Sequence, residues 1–100
     1  MTTATLLRTS PQADLVTLCR FLATWLRHPD LASLEVVEEV FDALPKIVAA
    51  IPPTVADLGV MCYLRNRVRS SRELVDAGDF ATAAYQLREI GRKLERLADE

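Results

Sequence analysis

The residues best suited to bind a ligand are four arginines in the octet RNRVRSSR, Arg65–Arg72, which contains no acidic residue. Guanidinium groups bind carboxylates and phosphates, so this cluster could be an anion site, a nucleic-acid contact or a solvated helix face. On an α-helix Arg65, Arg69 and Arg72 share one row, whereas Arg67 points roughly 160° away from it. We expect the row at the edge of the apolar face of its helix, with Arg67 set apart from it.

A second basic row is predicted on the outer face of the last helix and consists of Tyr85, Arg88, Arg92 and Arg96. An arginine row beside an exposed aromatic side chain is suited to gripping backbone phosphates and stacking bases. It is also typical of a solvated helix, because Glu89 and Lys93 have the spacing of a favourable i, i+4 pair. Both basic rows are therefore candidate surfaces for a partner or an anion.

A candidate acidic face on the second predicted helix consists of Glu35, Glu38, Glu39 and Asp42. Metal sites in helical bundles need carboxylates that point inward, whereas these lie opposite the apolar stripe, so we interpret them as a solvated or partner-binding face. If the second and third helices form a hairpin about Pro52–Pro53, opposed residue numbers sum to about 105. Arg65 would then lie level with Glu38 to Asp42, and Arg72 with Ser33. The basic row and the acidic face could therefore face one another across the rim of the hairpin.

Residues suited to catalysis or metal binding are sparse. The only histidine, His28, follows Cys19 by nine positions, about 13 Å along a helix axis. Cys62 could approach His28 only through the fold, and we interpret both cysteines as small buried apolar side chains. One histidine without paired cysteines supplies no metal-ligand set, and none of the glycines builds a phosphate loop. We expect no catalytic residue, metal, cofactor or small-molecule ligand, and no enzymatic activity.

The elements that must position these residues are predicted to be helices, because apolar residues recur at helical spacing and strand-like alternation does not persist. Helices are expected near residues 11–28, 31–51, 54–77 and 79–98. The short connections favour antiparallel neighbours. The predicted fold is all-α, a single-domain antiparallel four-helix bundle or two stacked helical hairpins over residues 10–100. Residues 1–9 are expected to form a flexible N-terminal tail.

Signals at the helix ends support this division of the chain. Ser10 is a candidate cap for the first helix, Asp30 or Ser33 for the second, and Thr54–Asp57 resembles a capping box for the third. Gly78 favours a helix stop. The predicted inner face of the third helix consists of Leu58, Met61, Cys62, Leu64, Val68 and Val75.

The segment AGDFATAAYQL, Ala77–Leu87, places Gly78, Phe80 and Ala83 at the spacing of the glycine, aromatic and alanine of a tetratricopeptide repeat. It resembles the turn and second helix of that repeat, over one turn and half a helix. The upstream helix lacks the tryptophan, leucine and glycine of the repeat, and the sequence holds no second copy. The resemblance implies a helical hairpin that is compatible with partner binding.

Charge and apolar length indicate the setting of the chain. Its net charge is −2 and its pI is about 5.4, so nucleic-acid binding would depend on a local basic patch. The first residues lack the charged and apolar regions of a secretory signal. The longest near-apolar tract, Ile47–Leu64, is interrupted by prolines and an aspartate. We therefore expect a cytoplasmic, reduced protein without a membrane span.

Two functions of different classes fit these observations. The leading hypothesis is a non-catalytic helical protein–protein interaction module, a small adaptor or regulatory subunit that could form a homodimer. The alternative is a nucleic-acid-binding helical subunit of a ribonucleoprotein complex that uses the arginine rows. In size and helicity the chain is similar to the small subunits of CRISPR effector complexes, although it carries no motif specific to them.

Overall fold

The computed structural model describes residues 10–99, which form four α-helices without a strand. The helices are α1 (Pro11–Arg27), α2 (Leu34–Ala50), α3 (Leu58–Asp76) and α4 (Phe80–Asp99), and a single 3₁₀ turn (Pro29–Leu31) joins the first two. The predicted all-α class with four helices is confirmed. The predicted tail at residues 1–9 lies outside the described residues. Within residues 10–99, none of the helices has the length and apolarity needed to cross a membrane.

Each helix packs against the next one along the chain, and α4 closes the ring by packing against α1. The α1–α4 pair has the most extensive contact and the α2–α3 pair the least. The α1–α4 pair is antiparallel, because Arg20 meets Glu95 whereas Trp25 meets Phe80. The fold is therefore a four-helix bundle. We call the end that holds the α1–α2 and α3–α4 connections the distal end, and the end that holds the α2–α3 connection the proximal end.

Polar side chains cap the helix starts by accepting backbone hydrogen bonds. Ser10 caps α1, and of the two candidates for α2 the cap is Ser33, whose Oγ accepts from the Val36 amide at 3.3 Å. The predicted capping box for α3 is wrong, since Asp57 is itself the cap and the helix begins at Leu58. The preceding residues turn instead, because the Val55 and Ala56 amides donate to the carbonyl of Pro52.

The turn between α3 and α4 follows the predicted stop at Gly78. Its φ of +83° lies in the left-handed region, where a side chain would be strained. The Gly78 amide donates to the Val75 carbonyl, and the Asp79 amide donates to the Leu74 carbonyl at 2.8 Å. This pattern is a Schellman motif. Asp79 then accepts from the Thr82 amide at the start of α4, so one short turn ends one helix and caps the next.

The core is formed by apolar side chains from all four helices, with Leu15, Leu22, Leu44, Leu64, Leu87 and Ile90 fully buried. The predicted inner face of α3 needs correction, because Leu58 is 75% exposed and Cys62 is also exposed. The buried side of α3 is centred on Leu64, Val68 and Ser71. Leu58 is the first residue of its helix, and Cys62 lies on the outward row that continues through Arg65.

Candidate functional site

The predicted arginine row on α3 borders a groove between α2 and α3, the helix pair with the least contact. The hollow has a volume of about 320 Å³. Its lining residues are Phe41, Pro45, Arg65, Val68, Arg69, Arg72, Glu73 and Asp76. Phe41 and Val68 are buried members of the core, whereas Pro45 is exposed on α2. The groove thus has an apolar floor and a charged rim, and we refer to it below as the α2–α3 groove.

Arg72 is the member of the row that joins the two helices. Its Nη1 lies 2.5 Å from Oδ1 of Asp42, and both side chains remain partly exposed, at 41% and 65%. The Arg72 guanidinium also lies over the ring of Phe41, 5.8 Å from its centroid. For this one pair, the predicted contact between the basic row and the acidic face is present in the structure.

The predicted register of the α2–α3 hairpin is wrong. We expected Arg72 level with Ser33, but it contacts Asp42, nine residues further along the chain. The turn is not centred on Pro52–Pro53, because α2 ends at Ala50 and α3 begins only at Leu58. With the turn centred between Ala50 and Leu58, the position on α2 opposite Arg72 moves by about three residues toward Asp42. The long arginine side chain and the aspartate side chain can span part of the distance that remains.

Arg65 and Arg69 are exposed on α3 and have no ion pair with any residue in the described part of the chain. The same holds for Glu35, Glu38 and Glu39 of the candidate acidic face, which are exposed on α2. The basic row and the acidic face therefore do not form a continuous clasp across the hairpin. Two of the three arginines of the basic row, Arg65 and Arg69, therefore stay available at the rim of the groove.

The charges along the α3 side of the groove are segregated by sign. Arg65 and Arg69 lie toward the proximal end, whereas Glu73 and Asp76 lie toward the distal end. Arg65 and Asp76, the first and last of these residues, are eleven positions apart, which corresponds to about 16 Å of helix. Arg72 lies between them and is neutralised by its own partner on α2. The groove therefore has a basic end and an acidic end on either side of an apolar middle.

Arg67 lies apart from this row, as predicted. Its guanidinium carbon is 5.3 Å from the ring centroid of Tyr63, and the Nζ atom of Lys93 on α4 lies 6.0 Å from the same centroid. Arg67 therefore belongs to the side of α3 that faces α4. This arrangement removes it from the α2–α3 groove.

The second predicted row on α4 is divided between two surfaces. Tyr85 is 54% exposed and Arg96 is exposed, whereas Arg88 is half-buried and lines a hollow shared with α1. Arg92 is paired with Glu89 at 2.6 Å, in place of the predicted pair of Glu89 with Lys93. Arg92 and Arg96 line one hollow together with Glu89 and Glu95. Positions four apart drift by about 40° around a helix, and this drift turns Arg88 toward α1.

Residues of α1 that the sequence did not single out join Arg88 at the distal end of the bundle. A hollow of about 300 Å³ is lined by Arg20, Ala23, Thr24, Arg27, His28 and Arg88. Arg27 and His28 are some 60 positions from Arg88, so sequence spacing carries no sign of the cluster. A basic last turn is ordinary at a helix C-terminus, where the dipole favours cations, and it therefore gave no separate signal.

The two cysteines lie in different environments. Cys19 is fully buried in the core, and burial raises the pKa of its thiol to about 12. Cys62 is exposed near the start of α3, so the prediction that both cysteines are buried is wrong for Cys62. It lies toward the proximal end, whereas His28 ends α1 at the distal end, and the fold does not bring the two together. In residues 10–99, no group of histidine, cysteine and acidic residues is arranged to hold a metal ion.

No protein-family model matches the chain, and neither the curated proteins nor the solved structures that were compared with it contain a match. The segment that resembles a tetratricopeptide repeat forms the α3–α4 turn and the first half of α4. In it Gly78 supplies the left-handed turn, Ala83 is fully buried, and the Phe80 ring lies 6.4 Å from that of Trp25 on α1. Each of the three residues thus has a local structural role in the bundle.

Proposed function

We propose that this protein is a non-catalytic protein–protein interaction module, a small adaptor or regulatory subunit that binds through the α2–α3 groove. The observation that carries the proposal is the apolar floor at Phe41 and Val68 beside two arginines without an ion pair. Arginine at the rim of an apolar patch is a common composition for protein interfaces. The α2–α3 pair is also the least extensive helix–helix contact of the bundle.

The occupant that the charges favour is a second copy of the same chain. In a face-to-face dimer, a two-fold axis that lies in the interface plane and crosses the long direction of the groove at a right angle near Arg72 would exchange the basic and acidic ends of the groove. Arg65 and Arg69 of one copy would then lie over Glu73 and Asp76 of the other, and the reverse at the opposite end. A uniformly acidic partner would be repelled at the distal end and a uniformly basic one at the proximal end. The antisymmetric charge pattern is thus self-complementary.

The strength expected of this association is modest. Exposed ion pairs contribute about 0–1 kcal/mol each, so the apolar floor must supply much of the binding free energy. The charge pattern would determine the relative orientation of the two copies and discriminate against other partners. Because the pairs are exposed to solvent, association should weaken as salt increases. We expect a reversible homodimer that depends on protein concentration and ionic strength.

Charge reversal provides the test. Sedimentation equilibrium should show a monomer–dimer equilibrium for the natural chain at low salt. The variant R65E/R69E makes both ends of the groove acidic, and E73K/D76K makes both ends basic, so each variant alone should be monomeric. An equimolar mixture should restore a dimer, because the two altered grooves are complementary. Light scattering of the mixture and of each variant gives the masses.

Two controls separate an interface effect from misfolding. Circular dichroism and thermal unfolding should show each variant folded. The variant R92E/R96E carries the same charge change as R65E/R69E but lies on α4, and it should keep the dimer. A natural chain that stays monomeric at about 1 mM, which sets a Kd well above that value, would contradict self-association. Loss of the dimer in R92E/R96E to the same extent would contradict the assignment to the groove.

We also propose that the module works in the cytoplasm. Cys62 is an exposed free thiol and Cys19 is a buried one, and such thiols persist in a reducing compartment. Fractionation of the cells that express the chain, followed by immunodetection, tests this assignment. Recovery of the chain in an oxidising compartment with Cys62 in an intermolecular disulfide would contradict it.

A further inference from the structure

Two adjoining hollows lie between α1 and α4, away from the α2–α3 groove. The first, of about 300 Å³, is lined by Arg20 and His28 together with the buried Ala23 and the exposed Thr24. The second, of about 480 Å³, is lined by Leu26, Arg27, Phe80, Ala81, Ala84 and Arg88. Arg27 and Arg88 line both, so the two arginines stand at the boundary between a basic hollow and one that also presents the apolar side chains of Leu26, Phe80, Ala81 and Ala84.

The basic hollow has an excess of positive charge. Among the residues that the structure describes, its lining includes three arginines and a histidine but no carboxylate. Arg20 is held by Glu95 at 2.7 Å, whereas Arg27 and Arg88 have no ion pair with any residue that the structure describes. The α1 dipole explains a cation at Arg27, but Arg88 lies within α4 and is brought here by the packing of α4 on α1. Two neighbouring guanidinium groups without an ion pair suit a ligand with several anionic oxygens.

The second hollow adds a flat apolar surface beside the two arginines. Phe80 is 39% exposed there, and its ring lies 6.4 Å from the ring of Trp25 at an interplanar angle of 52°. The indole nitrogen of Trp25 donates to the carbonyl of Ala32 at 3.0 Å, which fixes the ring behind Phe80. An exposed aromatic ring on a fixed support is a stacking surface for a planar group.

We propose that these hollows bind a nucleotide unit, with its phosphate between Arg27 and Arg88 and its base on Phe80. A free mononucleotide and a single-stranded nucleic acid present the same chemistry. This site is separate from the α2–α3 groove and does not depend on the proposed homodimer. The single-stranded form is compatible with the slightly negative chain, because only the local patch has to attract phosphate.

The experiment measures binding of the full chain to a fluorescent single-stranded oligothymidylate of about ten nucleotides by anisotropy at low salt. The variant R27Q/R88Q should weaken binding about tenfold or more, and the dependence of log K on log salt should become shallower by about 0.7, the value for one phosphate contact on a single strand. The matched control R92Q/R96Q removes the same charge from the second half of α4, outside both hollows and outside the α2–α3 groove, and should change the affinity by no more than about twofold. Circular dichroism verifies the fold of both variants.

Two further measurements separate the phosphate from the base. F80L should weaken binding about fivefold or more, the lower limit for loss of one stacked base. Emission of Trp25, the only tryptophan, should change on binding in the natural chain and provides a readout without a label.

Competition by thymidine monophosphate would identify a free nucleotide as sufficient, and competition by the oligonucleotide alone would identify nucleic acid as the source. Competition by inorganic phosphate equal to that by the nucleotide would overturn the base contact. No binding at low salt, or equal loss in R92Q/R96Q, would overturn the site.

Discussion

Arg72 on α3 and Asp42 on α2 form the ion pair that joins the two least tightly packed helices of the bundle, with Nη1 and Oδ1 2.5 Å apart. The same guanidinium lies over Phe41, so the pair is anchored beside the apolar floor of the α2–α3 groove. The pair also leaves Arg65 and Arg69 on one side of it and Glu73 and Asp76 on the other. The exposed charges on the α3 side of the groove thus change from basic to acidic across the position of this pair.

A double-mutant cycle measures the strength of this pair. Arg72→Ala, Asp42→Ala and the double variant, each unfolded in urea, should give a coupling free energy of about 0.2–1 kcal/mol, because both side chains are partly exposed. The coupling should decrease in high salt. A coupling indistinguishable from zero at low salt would show that the contact adds nothing to stability. Urea rather than guanidinium chloride keeps the ionic strength under control.

Two leucines on α3 provide a matched test of burial. Leu64 is fully buried and Leu58 is 75% exposed, and both are changed to alanine. Leu64→Ala should lower the free energy of unfolding by about 2–5 kcal/mol, because it removes apolar contacts and leaves a cavity. Leu58→Ala should change it by no more than about 0.5 kcal/mol. Equal losses in the two variants, measured by urea unfolding, would contradict the corrected inner face of α3.

Two glycines should respond to alanine with opposite signs. Gly78 has a φ of +83°, so Gly78→Ala should destabilise the fold by about 1 kcal/mol. At Gly91, within α4, an added Cβ would lie 3.8 Å from Cγ1 of Val16, which is an ordinary contact. Gly91→Ala should therefore stabilise the fold by about 0.5–1 kcal/mol through helix propensity. Thermal unfolding of both variants tests the signs, and a loss in G91A would show that close packing on α1 requires glycine.

The two thiols should differ in reactivity. Cys62 is exposed and Cys19 is fully buried, so a thiol reagent should modify one cysteine rapidly in the folded chain and both in denaturant. Cys62→Ser should abolish the rapid reaction and leave the slow one. Rapid modification of two thiols in the natural folded chain would contradict the burial of Cys19.

The raised pKa of Cys19 makes stability depend on pH above 9. The thiol has an ordinary pKa of 9.0 when the chain is unfolded, and burial raises the pKa to about 12 in the folded state. The stabilisation is complete below pH 9 and is lost as pH rises toward 12, because the unfolded chain releases the proton first. Between pH 7 and pH 10 the advantage of the natural chain over Cys19→Ala should decrease by about 1.4 kcal/mol. An unchanged difference in urea unfolding would contradict this linkage.

The local features of the fold were largely predictable from the residues. Ser10, Ser33 and Gly78 act through backbone hydrogen bonds within a few residues, so their types indicate the ends of helices directly. Thr54–Asp57 misled because the diproline turn delays the start of α3 until Leu58. Burial of Cys62 was also mispredicted, since a helical wheel gives directions around an axis but not which direction the neighbouring helices cover.

What the sequence alone determined is the all-α class, the apolar stripes and the segregation of Arg65 and Arg69 from Arg67, because helical periodicity depends only on spacing along the chain. What the tertiary structure decided is the partner of each charge. The contact of Arg72 with Asp42, and the meeting of Arg27 with Arg88 beside Phe80, depend on where helices distant in sequence pack. Register between helices is determined by turn length and by packing summed over the whole core, and neither quantity can be obtained from a single helix.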